Sequence, residues 1–395
     1  MTDLSRRTLL GMSAGAGLAA TIGSIGGAPR PALAADGPIV KPLPDKWFIT
    51  YGSNAETRWE ALAGTGYHTP IDRFFVRDHT STPRLDAATW SLKLHGTGLR
   101  GEKPVEFTYD DLRKLPSRTV TAFIECAGNG RSFYTTQQDQ TVSGTAWRLG
   151  AVGVARWRGV PLAAVLRRAG ITPDAVSVMP RGLDDEWTDA GVNHGHVRRP
   201  LPVAKALDDV LLAYEMNGET LPYDHGYPVR VVVPNWIGIA STKWVGDIEV
   251  SAEKLSSPWD TQYYRFFGPD YPAEGSDPLT RQVTKSAFEL EWDARLPAGK
   301  THVLHGRSWS GHGPVRRVEI STDEGATWRP ATPAGPSTTR GWLPWTYRWR
   351  PSGTGARTLR ARATDATGTP QADTAPYNTL GYLFGAVVKH PVTVG

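Results

Sequence analysis

The chain has 395 residues, a formal net charge of +5 at pH 7 and one cysteine. A lone cysteine cannot form an internal disulfide, so a small disulfide-held scaffold is excluded and the fold depends on its core. The basic residues form no block of the kind that binds nucleic acid, so we predict no nucleic-acid partner. A small anionic substrate suits the mildly positive charge.

Residues 1–34 have the pattern of an export signal. Arg6 and Arg7 precede a Gly/Ala-rich stretch of low hydrophobicity, and Ala32-Leu33-Ala34 is a small-residue cleavage pattern. An ordinary membrane anchor is the alternative, but the glycines make the stretch poorly apolar for a spanning helix. We predict a twin-arginine signal peptide, export to the periplasm or the extracellular space, and no membrane span after its removal.

Residues 46–256 mix helix and strand patterns. Thr108 and Asp111 form a capping pattern for one helix, and a second is predicted over 161–169, with proline in its first turn. The continuous apolar run 229–233 predicts a buried strand. Helices and strands follow one another without a regular βαβ rhythm, so we predict an α+β domain.

Residues 277–395 have an all-β pattern. A strand over 315–320 leads to an Asp-Glu-Gly turn, and in the run 359–364 the apolar residues alternate with polar ones. Short strands separated by Gly/Pro turns predict an immunoglobulin-like sandwich. The segment 256–278, rich in Pro, Gly and aromatic residues, is the predicted connector.

Cys126 follows a predicted strand over 119–125 and opens a Gly/Asn loop that carries Arg131. A thiolate there can bind a soft metal, and a nearby cation would favour the thiolate form. The alternative is a buried structural thiol, because free cysteine packs like a small hydrophobic residue.

Three further clusters contain chemistry-bearing residues: 74–79, 182–185, and 224–230 with 241–244. Together with Cys126 they supply a thiolate, two histidines and several cations, which a soft metal and a bound anion would need. Each cluster alone is a weak signal, since Arg and His beside Gly in loops are usually solvated.

The order and spacing of these clusters resemble the sulfite oxidase family of molybdenum enzymes. The motifs are Cys-Ala-Gly-Asn-x-Arg at 126–131, Asp-His-Gly-Tyr-Pro-Val-Arg at 224–230 and Tyr-Glu-Met-Asn-Gly at 214–218. Gly-Arg-Ser-Trp-Ser-Gly at 306–311 resembles that family's dimerisation domain. The resemblance implies a molybdopterin-binding catalytic domain over 46–256, an immunoglobulin-like dimerisation domain over 277–395, and a homodimer.

The resemblance also implies a molybdenum–molybdopterin cofactor with one molybdenum and one pyranopterin. Cys126 would be the protein's thiolate ligand, and the pterin's dithiolene would supply the other sulfurs. Arg77, Arg131 and Arg348 match arginines around the family's substrate oxyanion, and guanidinium groups suit an oxyanion because they donate in pairs. The residues that would hold the pterin and its phosphate are Phe75, Arg77, Asp78, His79, Asp184, His225, Arg230, Ser241, Thr242 and Lys243.

Two positions depart from the family's pattern. Asp78 stands where an asparagine is usual, which puts one pterin contact in doubt. The run 194–202 lacks the family's active-site tyrosine, and His196 is the closest polar substitute. The alternative is that His194-Gly195-His196 is a solvated loop; an independent metal site there lacks an evident third ligand.

We therefore predict an exported molybdenum oxidoreductase that transfers an oxygen atom to or from a small sulfur compound, with oxidation of sulfite to sulfate as the leading reaction. The sequence has no Cys-x-x-Cys-His motif, so we predict no haem in this chain and a separate electron acceptor such as cytochrome c or oxygen. The alternatives are the same cofactor with another substrate or direction, such as sulfoxide reduction, and a non-catalytic secreted binding protein.

Overall fold

The computed structural model describes residues 37–101 and 103–395, so the predicted signal over 1–34 lies outside the described residues. The N-terminal part mixes strands and short helices. Its strands are β1 (Phe48–Tyr51), β2 (Asn54–Thr57), β3 (Val76–Arg77), β4 (Ser91–His95), β5 (Val105–Thr108), β6 (Arg118–Glu125), β7 (Val152–Pro161), β8 (Ser177–Gly182), β9 (Trp187–Asp189), β10 (Val192–Gly195), β11 (Leu201–Pro202), β12 (Leu211–Met216), β13 (Glu219–Thr220), β14 (Arg230–Val232) and β15 (Val245–Ser251). Its helices are α1 (Tyr109–Lys114), α2 (Ser132–Gln138), α3 (Leu162–Arg168), α4 (Val203–Asp208) and α5 (Pro258–Thr261).

Local sequence signals set the ends of these helices. The Thr108 side chain accepts a hydrogen bond from the Asp111 N–H at 3.2 Å, and the Asp111 side chain accepts one from the Thr108 N–H at 3.1 Å. This confirms the predicted capping box at the start of α1. Helix α3 starts directly after Pro161 and ends just before Gly170, which has a φ of +84° that favours glycine.

Two sheets form the centre of the N-terminal part, with strand orders β11-β8-β15-β4-β5 and β13-β12-β7-β6; β14 also pairs with β12. Strands β6 and β7 are antiparallel, with Glu125 opposite Val152. The Cys126 N–H then donates to the Ala151 carbonyl at 3.0 Å. The cysteine therefore stands at the end of a paired strand, which fixes its backbone.

The C-terminal part is an all-β sandwich made of β16 (Lys285–Phe288), β17 (Ala294–Leu296), β18 (His302–Trp309), β19 (Val315–Ser321), β20 (Arg329–Pro330), β21 (Thr332–Pro333), β22 (Trp342–Trp349), β23 (Gly355–Asp365) and β24 (His390–Val394). Its sheets have the orders β16-β18-β22-β21 and β17-β24-β23-β19-β20. Leu304, Val318, Trp345 and Leu359 pack in the core between them. The α+β fold with a following sandwich confirms the predicted fold class.

The alternation predicted for 359–364 is only half right. Leu359, Ala361 and Ala363 are buried as expected, but Arg360 is also buried. Its guanidinium lies 2.5 Å from the Asp373 carboxylate and stacks over Trp328. An ion pair and an aromatic ring therefore cover a face that the polar pattern predicts to be open to solvent.

A buried polar network joins the two parts directly behind Cys126. The Glu125 carboxylate accepts hydrogen bonds from Lys285 Nζ at 2.6 Å, Trp309 Nε1 at 2.8 Å and Asn129 Nδ2 at 2.9 Å. Lys285 and Trp309 belong to the sandwich, so the C-terminal part helps to hold the cysteine loop in place. No helix among the described residues is long and apolar enough to cross a membrane.

Candidate functional site

A cavity opens where β6 ends. Its lining residues come mainly from the loops after β6 and β8 and from the segments on both sides of β3 and β14. The structure brings Cys126 and all ten residues predicted to hold the pterin to its walls. Those ten are Phe75, Arg77, Asp78, His79, Asp184, His225, Arg230, Ser241, Thr242 and Lys243.

Cationic side chains are among the residues that line this cavity, and Arg230 is the most deeply buried of them. Arg230 donates from Nη1 to the His225 carbonyl at 3.0 Å and from Nη2 to the Ser241 carbonyl at 2.9 Å, and its guanidinium lies over the Trp157 ring. Burial lowers the pKa of Arg230 to about 9. A bound anion would raise the pKa of Arg230 again, because it would place a negative charge beside the buried guanidinium.

Asp78, the unusual residue in the predicted pterin loop, forms an ion pair with Lys243. Thr82 Oγ1 lies 3.0 Å from Asp78 Oδ2 and 2.7 Å from Asp224 Oδ1. Burial outweighs the attraction within the pair, since it raises the pKa of Asp78 and lowers the pKa of Lys243. When ionised, the acid offsets part of the local positive charge, which an amide in its place could not do.

The two cavity histidines are neutral imidazoles at pH 7. Burial, assisted by Arg77 and Lys243, holds the pKa of His79 well below its usual range. Burial and the cations Lys41 and Lys243 do the same for the pKa of His225. Both rings therefore offer one hydrogen-bond donor and one acceptor rather than a charge.

Several polar atoms on the cavity walls have no hydrogen-bond partner within the described residues. They are Arg77 Nη1, Asp184 Oδ1, His225 Nε2 and Thr242 Oγ1. An unpaired buried polar group costs about 1–3 kcal/mol, so such a set indicates a site that a polar ligand completes. Donors beside cations fit a pterin that carries a phosphate, and the chain's only cysteine fits a soft metal.

Tyr264 also lines the cavity, and the sequence analysis did not identify it. It lies within the connector predicted over 256–278, just after α5, where an aromatic-rich pattern gives no functional signal. The Tyr264 ring stacks on Tyr382 with centroids 5.0 Å apart and planes at 14°. Arg77, Cys126 and Arg131 act electrostatically on its hydroxyl. The connector therefore contributes to the cysteine side of the site.

Arg131 is buried beside the cavity rather than on its lining. Its Nε donates to the Leu380 carbonyl at 2.8 Å and its Nη1 to the Thr145 carbonyl at 2.9 Å. Glycine at 128 makes room for it, since a Cβ there would come within 2.4 Å of Arg131 Nη2. The guanidinium thus uses two of its donors to hold loops of both parts together.

The structure does not bring His196 or Arg348 to the cavity. His196 Nδ1 contacts the Asp184 carbonyl, and its neighbour Val197 lines the cavity instead. Arg348 is exposed on β22, where it pairs with Val303, also exposed. The prediction that Arg348 lies in the substrate site is therefore not supported, because its strand position turns the side chain to solvent. His194 and His196 belong to no group of three metal-ligating side chains among the described residues.

Two family models match this chain. The family model "Oxidoreductase molybdopterin binding domain" matches residues 79–259, and "Mo-co oxidoreductase dimerisation domain" matches 288–393. The mitochondrial sulfite oxidase of Mus musculus is 39% identical over 289 residues, which cover 70% of this chain and 51% of that protein. The chain thus spans about half the length of this relative.

Two further relatives match over most of their own length. The sulfite oxidase of Arabidopsis thaliana is 35% identical over 290 residues, which cover 70% of this chain and 72% of that protein. The crystal structure of the sulfane dehydrogenase SoxCD from Paracoccus pantotrophus matches with a TM-score of 0.72 and 29% identity. That match covers 85% of this chain and 83% of the other.

Proposed function

Since the chain belongs to the sulfite oxidase family of molybdopterin-dependent oxidoreductases, as its motifs predicted, we propose that it oxidises a small sulfur compound and that this compound is sulfite. The observation that carries the proposal is the cavity at Cys126, where a cysteine thiol, cationic side chains and unpaired donors line the same space. The non-catalytic alternative is disfavoured, because a degenerate site would not keep these costly buried groups together.

When bound, the molybdenum cofactor supplies oxygen-atom transfer and accepts two electrons. Cys126 would hold the metal, while Arg230, Lys243 and the neutral His225 would hold the pterin and its phosphate. Arg77 would bind the substrate oxyanion, since its Nη1 has no partner and its charge interacts with Cys126. These groups lower the free energy of bringing an anion into a site shielded from water.

The overall reaction balances as sulfite plus one water giving sulfate, two protons and two electrons. The electrons pass to a separate acceptor, for which cytochrome c or oxygen is proposed. A second candidate substrate is a sulfane sulfur compound, favoured by the likeness to the sulfane dehydrogenase. The apolar Val197 on the cavity wall, in the run that lacks a tyrosine, also suits a substrate other than sulfite.

The matched dimerisation domain supports a homodimer assembled through the sandwich, which a monomer mass in light scattering would contradict. The residues Arg6 and Arg7 support export by the twin-arginine route. Replacing both with lysine should retain the protein in the cytoplasm, and normal export of that variant would contradict this part of the proposal.

Steady-state turnover of the molybdenum-loaded protein tests the proposal. We expect sulfite-dependent reduction of ferricytochrome c, or oxygen uptake, that is lost in Cys126→Ser. Parallel assays with thiosulfate and with dimethyl sulfoxide plus a reductant test the sulfane and the reductive alternatives. A fully loaded protein that leaves sulfite unchanged with either acceptor would exclude sulfite as the substrate.

A further inference from the structure

Residues 38–41 precede the matched molybdopterin-binding domain, yet they contact a residue that lines the cavity. The Val40 N–H donates to Asp224 Oδ1 and the Lys41 N–H donates to Asp224 Oδ2, both at 2.8 Å. Both oxygens of one buried carboxylate therefore bind the backbone of this segment. Asp224 directly precedes His225 in the chain, so the segment fixes the loop that carries this histidine.

The same segment binds the chain around β3. The Lys41 Nζ donates to the Ile71 carbonyl at 3.3 Å and to the Phe74 carbonyl, and Phe74 lines the cavity. Ile39 is 5% exposed and belongs to a buried apolar cluster with Val76 of β3. Residues 38–41 therefore join two parts of the cavity wall that are far apart in the sequence, the segment around β3 and the loop before β14.

Lys41 also adds a cationic group at this end of the cavity. The carbonyls that accept from its Nζ carry no formal charge. Burial lowers the pKa of Lys41 to about 7, in spite of the attraction of Asp224. Lys41 interacts electrostatically with Lys243 and with His225, and both of these residues line the cavity. A phosphate bound near them would favour the charged form of Lys41, because it would place a negative charge beside the ammonium group.

We propose that residues 38–41 are a positioning segment for the cofactor: they hold the two parts of the cavity wall together, and Lys41 attracts the phosphate of the pterin. The cofactor then dissociates slowly only while this segment is in place. This inference rests on the proposed placement of the pterin beside His225 and Lys243, and it does not depend on which sulfur compound is oxidised. Because coupling between two sites is reciprocal, the bound cofactor in turn keeps the segment in place.

The test measures how fast the loaded protein loses its cofactor during dialysis, by metal analysis and by pterin fluorescence. Lys41→Met keeps the length of the side chain but removes its charge and its bonds to the carbonyls. Lys243→Met removes a cation from the cavity wall itself. Lys46→Met is the matched control, because Lys46 is exposed over the Trp47 ring. We expect about 10- to 100-fold faster release from Lys41→Met and Lys243→Met, the usual effect of losing hydrogen bonds that involve a charged group, and unchanged release from Lys46→Met.

A variant of the sandwich core separates positioning from general stability. Leu304 is 4% exposed in that core, so Leu304→Ala should lower the free energy of unfolding without changing the cavity wall. We expect this variant to release its cofactor at the rate of the wild type. If Leu304→Ala released the cofactor as fast as Lys41→Met, Lys41 would act only through overall stability and the inference would be overturned.

Release from Lys41→Met within about two-fold of the wild type would also overturn the inference. If release from Lys243→Met were unchanged as well, the proposed placement of the pterin would fail together with it. If Lys41→Met does not accumulate as folded protein, hydrogen exchange of the wild type decides. The amides of Val40 and Lys41 should exchange about 10-fold more slowly, or slower still, in the loaded protein than in the cofactor-free protein. Equal exchange in the two forms would refute the coupling between the segment and the cofactor.

Discussion

Replacing Lys285 with methionine tests how the sandwich supports the cysteine loop. Both side chains of the Lys285–Glu125 pair are almost completely buried, with 2% and 0% exposure. Methionine is similar in length but has no charge, so Lys285→Met leaves the Glu125 carboxylate with only two neutral donors, Trp309 and Asn129. The variant therefore isolates the electrostatic contribution of one buried ion pair.

The expected loss of stability is large. Removing one partner of a buried ion pair typically costs about 3–5 kcal/mol, because the remaining charge is buried without compensation. Lys285 Nζ also donates to the Asn129 carbonyl at 2.9 Å, and this bond in the cysteine loop is lost too. The double variant Lys285→Met with Glu125→Gln removes both charges and should recover much of the loss.

Denaturant unfolding of the purified proteins measures the change in free energy of unfolding, and metal analysis measures molybdenum content. Lys114→Met is the matched control, because its pair with Asp111 is exposed and 3.8 Å long. We expect the control to be close to neutral. A loss below about 1 kcal/mol in Lys285→Met, or no recovery in the double variant, would refute the reasoning.

Two further predictions concern Glu56 and Arg77. Burial raises the pKa of Glu56 from 4.5 to about 7. Between these two pH values the unfolded chain releases the Glu56 proton and the folded protein keeps it. The free energy of unfolding therefore falls as the pH rises, by up to about 3 kcal/mol. In denaturant titrations, the free energy of unfolding of Glu56→Gln should decline less between pH 5 and pH 8 than that of the wild type. An equal decline in the variant and the wild type would contradict a raised pKa of Glu56. Arg77→Met should reduce kcat/KM for sulfite about 10- to 150-fold at equal molybdenum content, whereas the exposed Arg348→Met should change it little. Equal losses of kcat/KM in the two variants would indicate that Arg348 also binds the substrate.

Much of the fold could be predicted because its signals are local. The strand predicted over 119–125 is observed as Arg118–Glu125, and the capping box at Thr108 is present with both hydrogen bonds. The strand at 315–320 and the turn after it follow from alternation and from Asp-Glu-Gly. Such features depend on side chains a few residues apart, which a sequence displays directly.

The contents of the site could be predicted only in part. Cys126 and the ten residues predicted to hold the pterin all line one cavity, whereas Arg131 lies beside it. Tyr264 was missed because the backbone turn and the stacking partner that direct it into the cavity leave no local pattern. Arg348 does not reach the cavity in the single chain, since pairing across the sheet decides which strand face meets solvent.

The network behind the cysteine could not be predicted either. Lys285 and Glu125 are 160 residues apart, and nothing near either residue indicates the other. Lys285 alone looks like an ordinary charged residue at the start of a strand. Its burial follows only from the way the sandwich packs against the loop after β6, which is a tertiary property.

X-ray absorption at the molybdenum edge tests the central claim most directly, because it reports the metal's own neighbours. The claim is that Cys126 binds molybdenum in the cavity at the end of β6. We expect sulfur neighbours around molybdenum in the wild type and one sulfur fewer in Cys126→Ser. An unchanged sulfur count in that variant, or a correctly expressed wild type without molybdenum, would contradict the account.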